Sequence, residues 1–426
     1  MRSVFWLLGL AALAVALAQL VGHNAATVTL FWSPYRYDVS FNLVLFSLIA
    51  VFVLLYLALR AIALLRELPA QAQRWRSQQV ERAAVGAVLD ALSHQLAGRF
   101  VRAQSAGLSA LEQLNAMPSA QWARRHQLQL LAHLLVAESA QSLQNHQGRD
   151  EHLQAALHPR LAKSAPVAHE GVLLRAVHWA VEDRDADLAR SRLAELPQGA
   201  ARRIQALRLK LKTARLGGAT AEALETARLL AKHRAFSPLA SRSIVRGLAL
   251  DALREAHDLS QLQTVWARLD ASERAMPELA LAAAQRANQL VPADLGDAEA
   301  EQAAALVRGW LEPIWPGLND LDAAQQRQLV QVLEPGLSRL DAAWLARLEH
   351  TQRLMPGNAF LQYLAGQAFM QRQLWGKAAQ LLGQASHSLH DPLLLRRTWC
   401  ALARLAEERG DGSAAQTAWK KAALLD

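Results

Sequence analysis

Fourteen histidines and a single cysteine are the residues with the most evident capacity for metal or covalent chemistry in this chain. His387 with His390, and His126 with His133, fall one or two helical turns apart, a spacing at which two imidazoles share a helix face and offer nitrogens to a metal. Neither pair has an acidic or cysteine partner that completes a site, and solvated or packed histidines explain them equally well. Cys400 has no second cysteine, so no disulfide, CxxC zinc pair or CxxCH attachment site is available, and it reads as a small packing residue. GxGxxG after a strand, GxxxxGK[ST], HExxH and GxSxG are absent. An enzyme is therefore not expected; no catalytic or metal-binding residue is assigned, and cofactor-binding residues stay unknown.

Twelve tryptophans are the other chemically distinctive group. Trp122, Trp179, Trp266, Trp344, Trp375, Trp399 and Trp419 fall in helical segments, where a large residue suits packing between hairpins. The alternative use is a groove that binds a protein or peptide partner. The net charge of +9 does not point to nucleic acid, because the arginines are spread along the chain among Glu and Asp without a dense basic run. Solvated helix faces, with some attraction to anionic lipid, account for it.

The elements that position these residues are helices. Ala, Leu, Gln, Arg and Glu crowd the sequence, while β-branched and aromatic residues are too sparse for a large sheet, so the fold class is all-α with almost no strand. Two uncharged runs, Val4 to Val21 and Val39 to Leu59, are long enough to cross a hydrocarbon core, which gives a two-span anchor over residues 1–68. A cleaved signal peptide is the competing reading of the first run. The intervening loop, Gly22 to Asp38, carries Phe31, Trp32, Tyr35 and Tyr37, residues suited to a membrane interface. Arg60, Arg66, Arg74, Arg76 and Arg82 follow the second run with only Glu67 and Glu81 against them, which by the positive-inside rule sets the topology with the C-terminal region cytoplasmic. Pro69 is expected to interrupt the second helix, and residues 69–85 to form a separate amphipathic linker helix with Trp75 at the headgroups or in solvent.

From about Ala83 onward, short helices alternate with turn signals in the manner of a degenerate tetratricopeptide-like α-solenoid. Residues 86–290 form the first set of hairpins. There Ala91, the turn Gly98-Arg99-Phe100, Ala103 and Ala110 make one unit closed by Pro118. Further turns are read at Gln147-Gly148-Arg149-Asp150, Asp183-Arg184-Asp185, Gly217-Gly218 and His257-Asp258, with Pro166, Pro197, Pro238 and Pro277 between hairpins. Residues 291–318, with Pro292, Gly296, Pro313, Pro316 and Gly317 around Trp310 and Trp315, read as a break between two repeat blocks, a long internal loop being the alternative. Residues 319–426 hold the best-matched repeats. Gly366, Phe369, Trp375 and Ala378 serve packing in one, and Trp399, Gly410, Ala415 and Trp419 in the next.

The chain resembles the HemY family of proteobacterial inner-membrane tetratricopeptide proteins. The resemblance is carried by FWLL at Phe5 to Leu8, LFWSPYRYDVS from Leu30 to Ser40, LALRAI at Leu57 to Ile62, LPAQAQRWRSQQVERAA from Leu68 to Ala84, and LAGRF from Leu96 to Phe100. It implies a multi-pass bacterial inner-membrane protein linked to a late step of protohaem IX synthesis, a scaffold whose protein partners are haem-pathway enzymes. No cofactor is expected. A haem or porphyrin carrier or sensor is the alternative from another class, although Ala401 after Cys400 rules out the Cys-Pro pair of haem-responsive motifs. An envelope assembly factor of the cytochrome c maturation type is a third. The oligomeric state and the partner's identity are not legible.

Overall fold

Two six-residue stretches, Thr27–Trp32 (β1) and Tyr35–Ser40 (β2), pair antiparallel from Thr27 opposite Ser40 to Trp32 opposite Tyr35, with Ser33 and Pro34 at the turn. The computed structural model describes residues 11–16, 18–19, 26–116, 122, 124–291 and 297–425, and of 64–74, 77 and 297 the backbone alone. The hairpin stands where a short loop was expected. Thr-Val-Thr and Tyr-Arg-Tyr alternate β-formers, and the cross-strand pairs Leu30–Tyr37 and Phe31–Arg36 join apolar and aromatic stems.

The amide of Phe41 donates to the Ala26 carbonyl at 2.9 Å, closing the hairpin's open end, and Ser40 Oγ accepts from the Leu43 amide. Here the longest helix begins. Helix α1, Phe41–Leu96, has 56 residues and is about 84 Å long. Its first part, Phe41–Ala63, has a mean hydropathy of 2.6 and no buried residue, and among the described residues it is the one helix long and apolar enough to cross a membrane. The expected pair of spans is thus reduced to one described span, starting at Phe41 because Val39 and Ser40 belong to β2. Of the expected first span, 4–21, residues 11–16 and 18–19 are helical and exposed, and the remainder lies outside the described residues.

Pro69 does not end α1. An interior proline removes one i→i−4 hydrogen bond and costs about 3 kcal/mol. The Leu-, Ala-, Glu- and Arg-rich sequence on either side propagates the helix across it, so 69–85 is the middle of α1 and not a separate linker helix.

The chain divides into two compact units, Met1–Val172 and Leu173–Asp426. In the first, α2 (Phe100–Asn115), α3 (Arg125–Ser142), α4 (His146–Ala156) and α5 (Pro159–Ser164) follow the end of α1. Val88 and Ala91 of α1, Ala110 and Leu111 of α2, and Ala132, Leu135 and Val136 of α3 form the core. A Cβ on Gly107 would lie 2.6 Å from Val136 Cγ2, so glycine is what lets α2 and α3 approach. Helix α6 (Pro166–Glu182) contains the division between the units.

The second unit continues with α7 (Ala186–Ala194), α8 (Gln198–Ala201), α9 (Ile204–Leu216), α10 (Thr220–Lys232), α11 (Pro238–Glu255), α12 (Leu259–Ala267), α13 (Ala271–Arg274), α14 (Pro277–Leu290) and α15 (Asp297–Leu311). After the 3₁₀ turn Glu312–Asp320 come α16 (Ala323–Leu333), a second 3₁₀ turn Glu334–Arg339, α17 (Ala342–Leu354), α18 (Ala359–Gln371), α19 (Trp375–Ser388), α20 (Pro392–Glu408) and α21 (Gly412–Ala423). One hydrophobic core runs from Leu207 to Leu405 without interruption. The expected break at 291–318 is therefore not a boundary between repeat blocks, although residues 292–296 lie outside the described ones. Trp310 and Trp315 are buried, Trp310 beside Trp266 and Trp315 edge-on to Trp344 while donating from Nε1 to Thr351 Oγ1 at 2.9 Å. Prolines in this stretch shape a 3₁₀ turn whose Ile314, Trp315 and Leu318 fill the core.

One turn device recurs between helices. A residue with positive φ (Gly98, Gln144, Arg184, Gly218, Arg234, Gln373 or Gly410) ends a helix, and the next amide donates to the carbonyl five residues earlier. Arg99 donates to His94, Asn145 to Ala140, Asp185 to Ala180, Ala219 to Ala214, Ala235 to Leu230, Leu374 to Phe369 and Asp411 to Ala406, at 2.8–2.9 Å. This is the Schellman closure of a helix C-terminus. The sequence placed one such turn three residues late: Gln147 to Asp150 lie in α4, whose N-cap Asn145 accepts from the Gly148 amide. Pro166, Pro238 and Pro277 open α6, α11 and α14, and Pro197 precedes α8, positions where proline's missing donor costs nothing.

Four of these left-handed positions carry a side chain, which strains an L-residue by roughly 1–2 kcal/mol. Gln144→Gly, Arg184→Gly and Gln373→Gly are each expected to stabilise the fold by about 0.5–1 kcal/mol. Thermal melts followed by far-ultraviolet circular dichroism check this. The triple variant should melt several degrees higher, and an unchanged or lower midpoint would show that the turns are not strained.

Candidate functional site

The hairpin sets an aromatic surface directly before the candidate span. Phe31 and Trp32 are each 78% exposed, and Tyr35 and Tyr37 are also exposed. Arg36, the hairpin's cation, lies 5.5 Å over the Phe31 ring and 3.4 Å from Asp38, so the two charges of residues 26–40 compensate each other. On the other side of the span, Trp75, Arg76 and Arg82 are exposed, while the side chains of Arg66 and Arg74 lie outside the described residues. Arg60 falls within Phe41–Ala63, not after it as expected.

Concave surface is found in the second unit. One pocket of about 410 Å³ is formed by α7, α9 and α10, with Leu193, Leu207 and Ala214 on its apolar wall and Arg190, Arg202 and Lys210 among its polar groups. Arg190 pairs with Asp187 and Lys210 with Glu222, whereas Arg202 has no partner among the described residues. Thr213, buried in the same wall, has a hydroxyl without a hydrogen-bond partner. A second pocket of about 470 Å³ lies between α10, α11 and α13, lined by Arg228, Arg242, Val245, Asp270, Glu273 and Met276. Glu273 is 2% exposed. Arg228 meets its carboxylate with two hydrogen bonds, which raises the guanidinium's affinity for its proton, hydrogen bonding to Glu273 being the largest cause. Both pockets combine apolar wall with fixed charge, and cations outnumber carboxylates only in the first, an arrangement suited to an acidic and partly apolar surface.

The histidine pairs read from sequence are not the ones the fold assembles. His387 and His390 are exposed, and His126 is replaced as the neighbour of His133 by His152 on α4. The two Nδ1 atoms are 3.0 Å apart, so one ring donates while the other accepts. Burial, and secondarily the neighbouring His152, pushes His133 down to about 4; burial also lowers His152, against the pull of Glu151. The register of the α3–α4 hairpin creates the contact, and helix spacing alone gave no sign of it. Among the described residues no group of three or more His, Cys, Asp or Glu side chains is placed to hold a metal.

The residues assigned to repeat packing differ in their surroundings. Ala103, Ala378 and Ala415 are buried, and Phe100, Trp375 and Trp399 are half-buried. Gly98 and Gly410 occupy the left-handed turns, while a Cβ on Gly366 would meet Leu382 Cγ at 2.7 Å, the close approach of α18 and α19. Trp419 is not a packing anchor: it is 38% exposed, with Nε1 donating to Glu407 at 2.7 Å. Lys421 lies over the Trp399 ring at 4.2 Å. Cys400 is half-buried on the same helix. Trp179, Trp266, Trp310 and Trp315 are the tryptophans most deeply buried.

Turns, helices and span together define a helical-hairpin protein with a candidate membrane helix at its front. Residues 26–144 match the family described as "HemY protein N-terminus", in agreement with the resemblance read from the sequence. That match takes in the β-hairpin, the whole of α1, and α2 and α3. No curated protein matches the chain. Among solved structures it is similar to the P58(IPK) tetratricopeptide-repeat domain at 10% identity, with 76% of this chain and 99% of that chain covered and a TM-score of 0.24. It is also similar to Naa15/Naa10 bound to HypK-THB at 14% identity, with 76% of this chain and 56% of that chain covered and a TM-score of 0.25. At those scores neither likeness adds to the hairpin geometry.

The His133–His152 contact makes the first unit acid-sensitive. His133 is neutral when folded down to about pH 4, whereas in the unfolded chain it binds a proton below about pH 6.5. Its contribution is therefore complete above that range and is lost as pH falls from about 6.5 to about 4. Denaturant unfolding across this window should show the loss, and His133→Gln should flatten it; an equal slope in both proteins would assign the acid sensitivity elsewhere.

Proposed function

We propose that this chain is an inner-membrane scaffold linked to a late step of protohaem IX synthesis, whose helical hairpins bind enzymes of that pathway and do not themselves catalyse a step. The continuity of α1 carries the reading. One helix supplies both the candidate span and core residues of the first hairpin unit, so whatever the hairpins bind is held at the bilayer. Tethering raises the effective concentration of bound partners without new chemistry. The HemY N-terminal match over this same helix supports the link to haem synthesis.

The orientation that fits is one with the hairpin units in the cytoplasm. Arg36 and Asp38 leave the β-hairpin neutral, while Arg60, Arg66, Arg74, Arg76 and Arg82 mark the opposite end of the span as the retained side. A first span within residues 4–21 makes the anchor multi-pass and leaves the aromatic hairpin at the periplasmic interface, where Phe31, Trp32, Tyr35 and Tyr37 meet headgroups. The pocket carrying Arg190, Arg202 and Lys210 is the surface proposed to meet an acidic patch on a partner enzyme.

Full-length protein purified from membranes is expected to retain a haem-pathway enzyme. Arg202→Glu combined with Lys210→Glu should release it, because the substitutions reverse charge on a surface pocket while helicity stays unchanged. Undiminished retention by the double variant would remove the pocket from the account, and absence of any such enzyme from the unaltered chain would contradict the scaffold itself.

A further inference from the structure

Helix α1 carries a second apolar face that nothing described in the first unit covers. Ala84, Val88 and Ala91 are buried against the hairpins that follow. About 100° around the helix, Leu89, Leu92 and Leu96 are 56%, 42% and 81% exposed. Extended toward the span, the stripe has seven-residue spacing: Trp75, Arg82, Leu89 and Leu96 on one line, and Gln78, Val85 and Leu92 on the interleaved one. Trp75 is 61% exposed, Arg82 and Gln78 are exposed, and Val85 is half-buried. Alternating steps of four and three form the seam of one helix packing along another.

Lipid does not cover this seam along its length. Leu89 lies about 39 Å beyond Ala63 at 1.5 Å per residue, whereas the headgroup layer adds only about 5–8 Å on each side of the hydrocarbon. The cover must be protein, and the seam's charges indicate which. Arg82 sits at a core position of the repeat and Glu81 immediately before it, and neither has an ion-pair partner among the described residues. In two parallel, in-register copies, the position of Glu81 flanks that of Arg82 on the neighbouring helix, so each copy neutralises the other twice. Gly86 and Ser93 border the open side of the seam and leave room for a second backbone, while Val88 and Gln95 on its other side are engaged by the chain's own hairpins. A shared membrane span sets two copies parallel and at equal height, and holding both in one bilayer favours their pairing.

We propose that the exposed seam of α1, from Trp75 to Leu96, binds the same seam of a second copy as a parallel helix pair continuing the membrane span. The seam follows from the helix itself; its parallel sense rests on the span.

Because Cys400 is the chain's one cysteine, a Cys400→Ser background allows site-specific crosslinking of the full-length protein in native membranes. Leu89→Cys and Leu92→Cys should give a disulfide-linked product of twice the chain mass, while Asp90→Cys, equally exposed but off the seam, should not. Arg82→Glu should abolish the product, and adding Glu81→Arg should restore it. Leu89→Glu with Leu92→Glu should convert detergent-solubilised dimer to monomer without changing helicity, since both residues are exposed in the isolated chain. Equal crosslinking at Asp90, a product of some other mass, or a monomer for the unaltered chain would each overturn the proposal.

Discussion

Helix α1 joins a candidate membrane span to the core of the first unit, and the account of the structure depends on that continuity. In lipid a backbone amide without a partner costs several kcal/mol, so the span must be helical whatever its side chains prefer. Past Ala63 the helix continues across Pro69 with one bond of the ladder missing, and it delivers Val88 and Ala91 to the core of the first unit. A flexible joint between anchor and repeats would leave the hairpins free of the bilayer. A helix without a joint ties the hairpins of the first unit to the candidate span.

Beyond α1, the hairpins depend on how each helix is stopped. The left-handed residue followed by a bond to the carbonyl five back turns the chain and satisfies an end carbonyl in one step. Gly98, Gly218 and Gly410 do this without strain, whereas Gln144, Arg184, Arg234 and Gln373 do it against their own side chains. Packing after the turn must outweigh that strain. Gly107 and Gly366 let neighbouring helices nearly touch, and Tyr363, fully buried, donates to Glu334 at 2.5 Å while Glu334 also meets Arg397. Burial first, and then the neighbouring carboxylate, keeps that phenol protonated far above its ordinary range.

The all-helical class and the turns at Gly98, Gly218 and Gly410 were legible because glycine and helix-forming composition leave local marks. The turn at Gln144 was misplaced because glutamine carries no such mark, and the nearby Gly148 drew the reading into α4. Pro69 and the prolines of 312–320 were read as stops, yet tertiary packing and helix propensity on both sides overrode the local penalty. The β-hairpin was missed because its aromatics were read for membrane affinity and not for their alternation. Of the candidate surfaces, the exposed aromatics and the arginines flanking the span could be named from sequence. The His133–His152 contact and the pocket of Arg190, Arg202 and Lys210 could not, since each joins side chains from different helices whose register only the fold sets.

The proposed scaffold requires the span and the repeats to act together. The most direct test is to profile porphyrins and haem in cells lacking the protein, in cells carrying the full chain, and in cells carrying a chain whose residues 1–63 are replaced by a soluble leader. The account predicts that porphyrin intermediates accumulate and haem falls without the protein, and that only the membrane-anchored chain restores both. An unchanged profile in its absence, or full rescue by the soluble form, would contradict it.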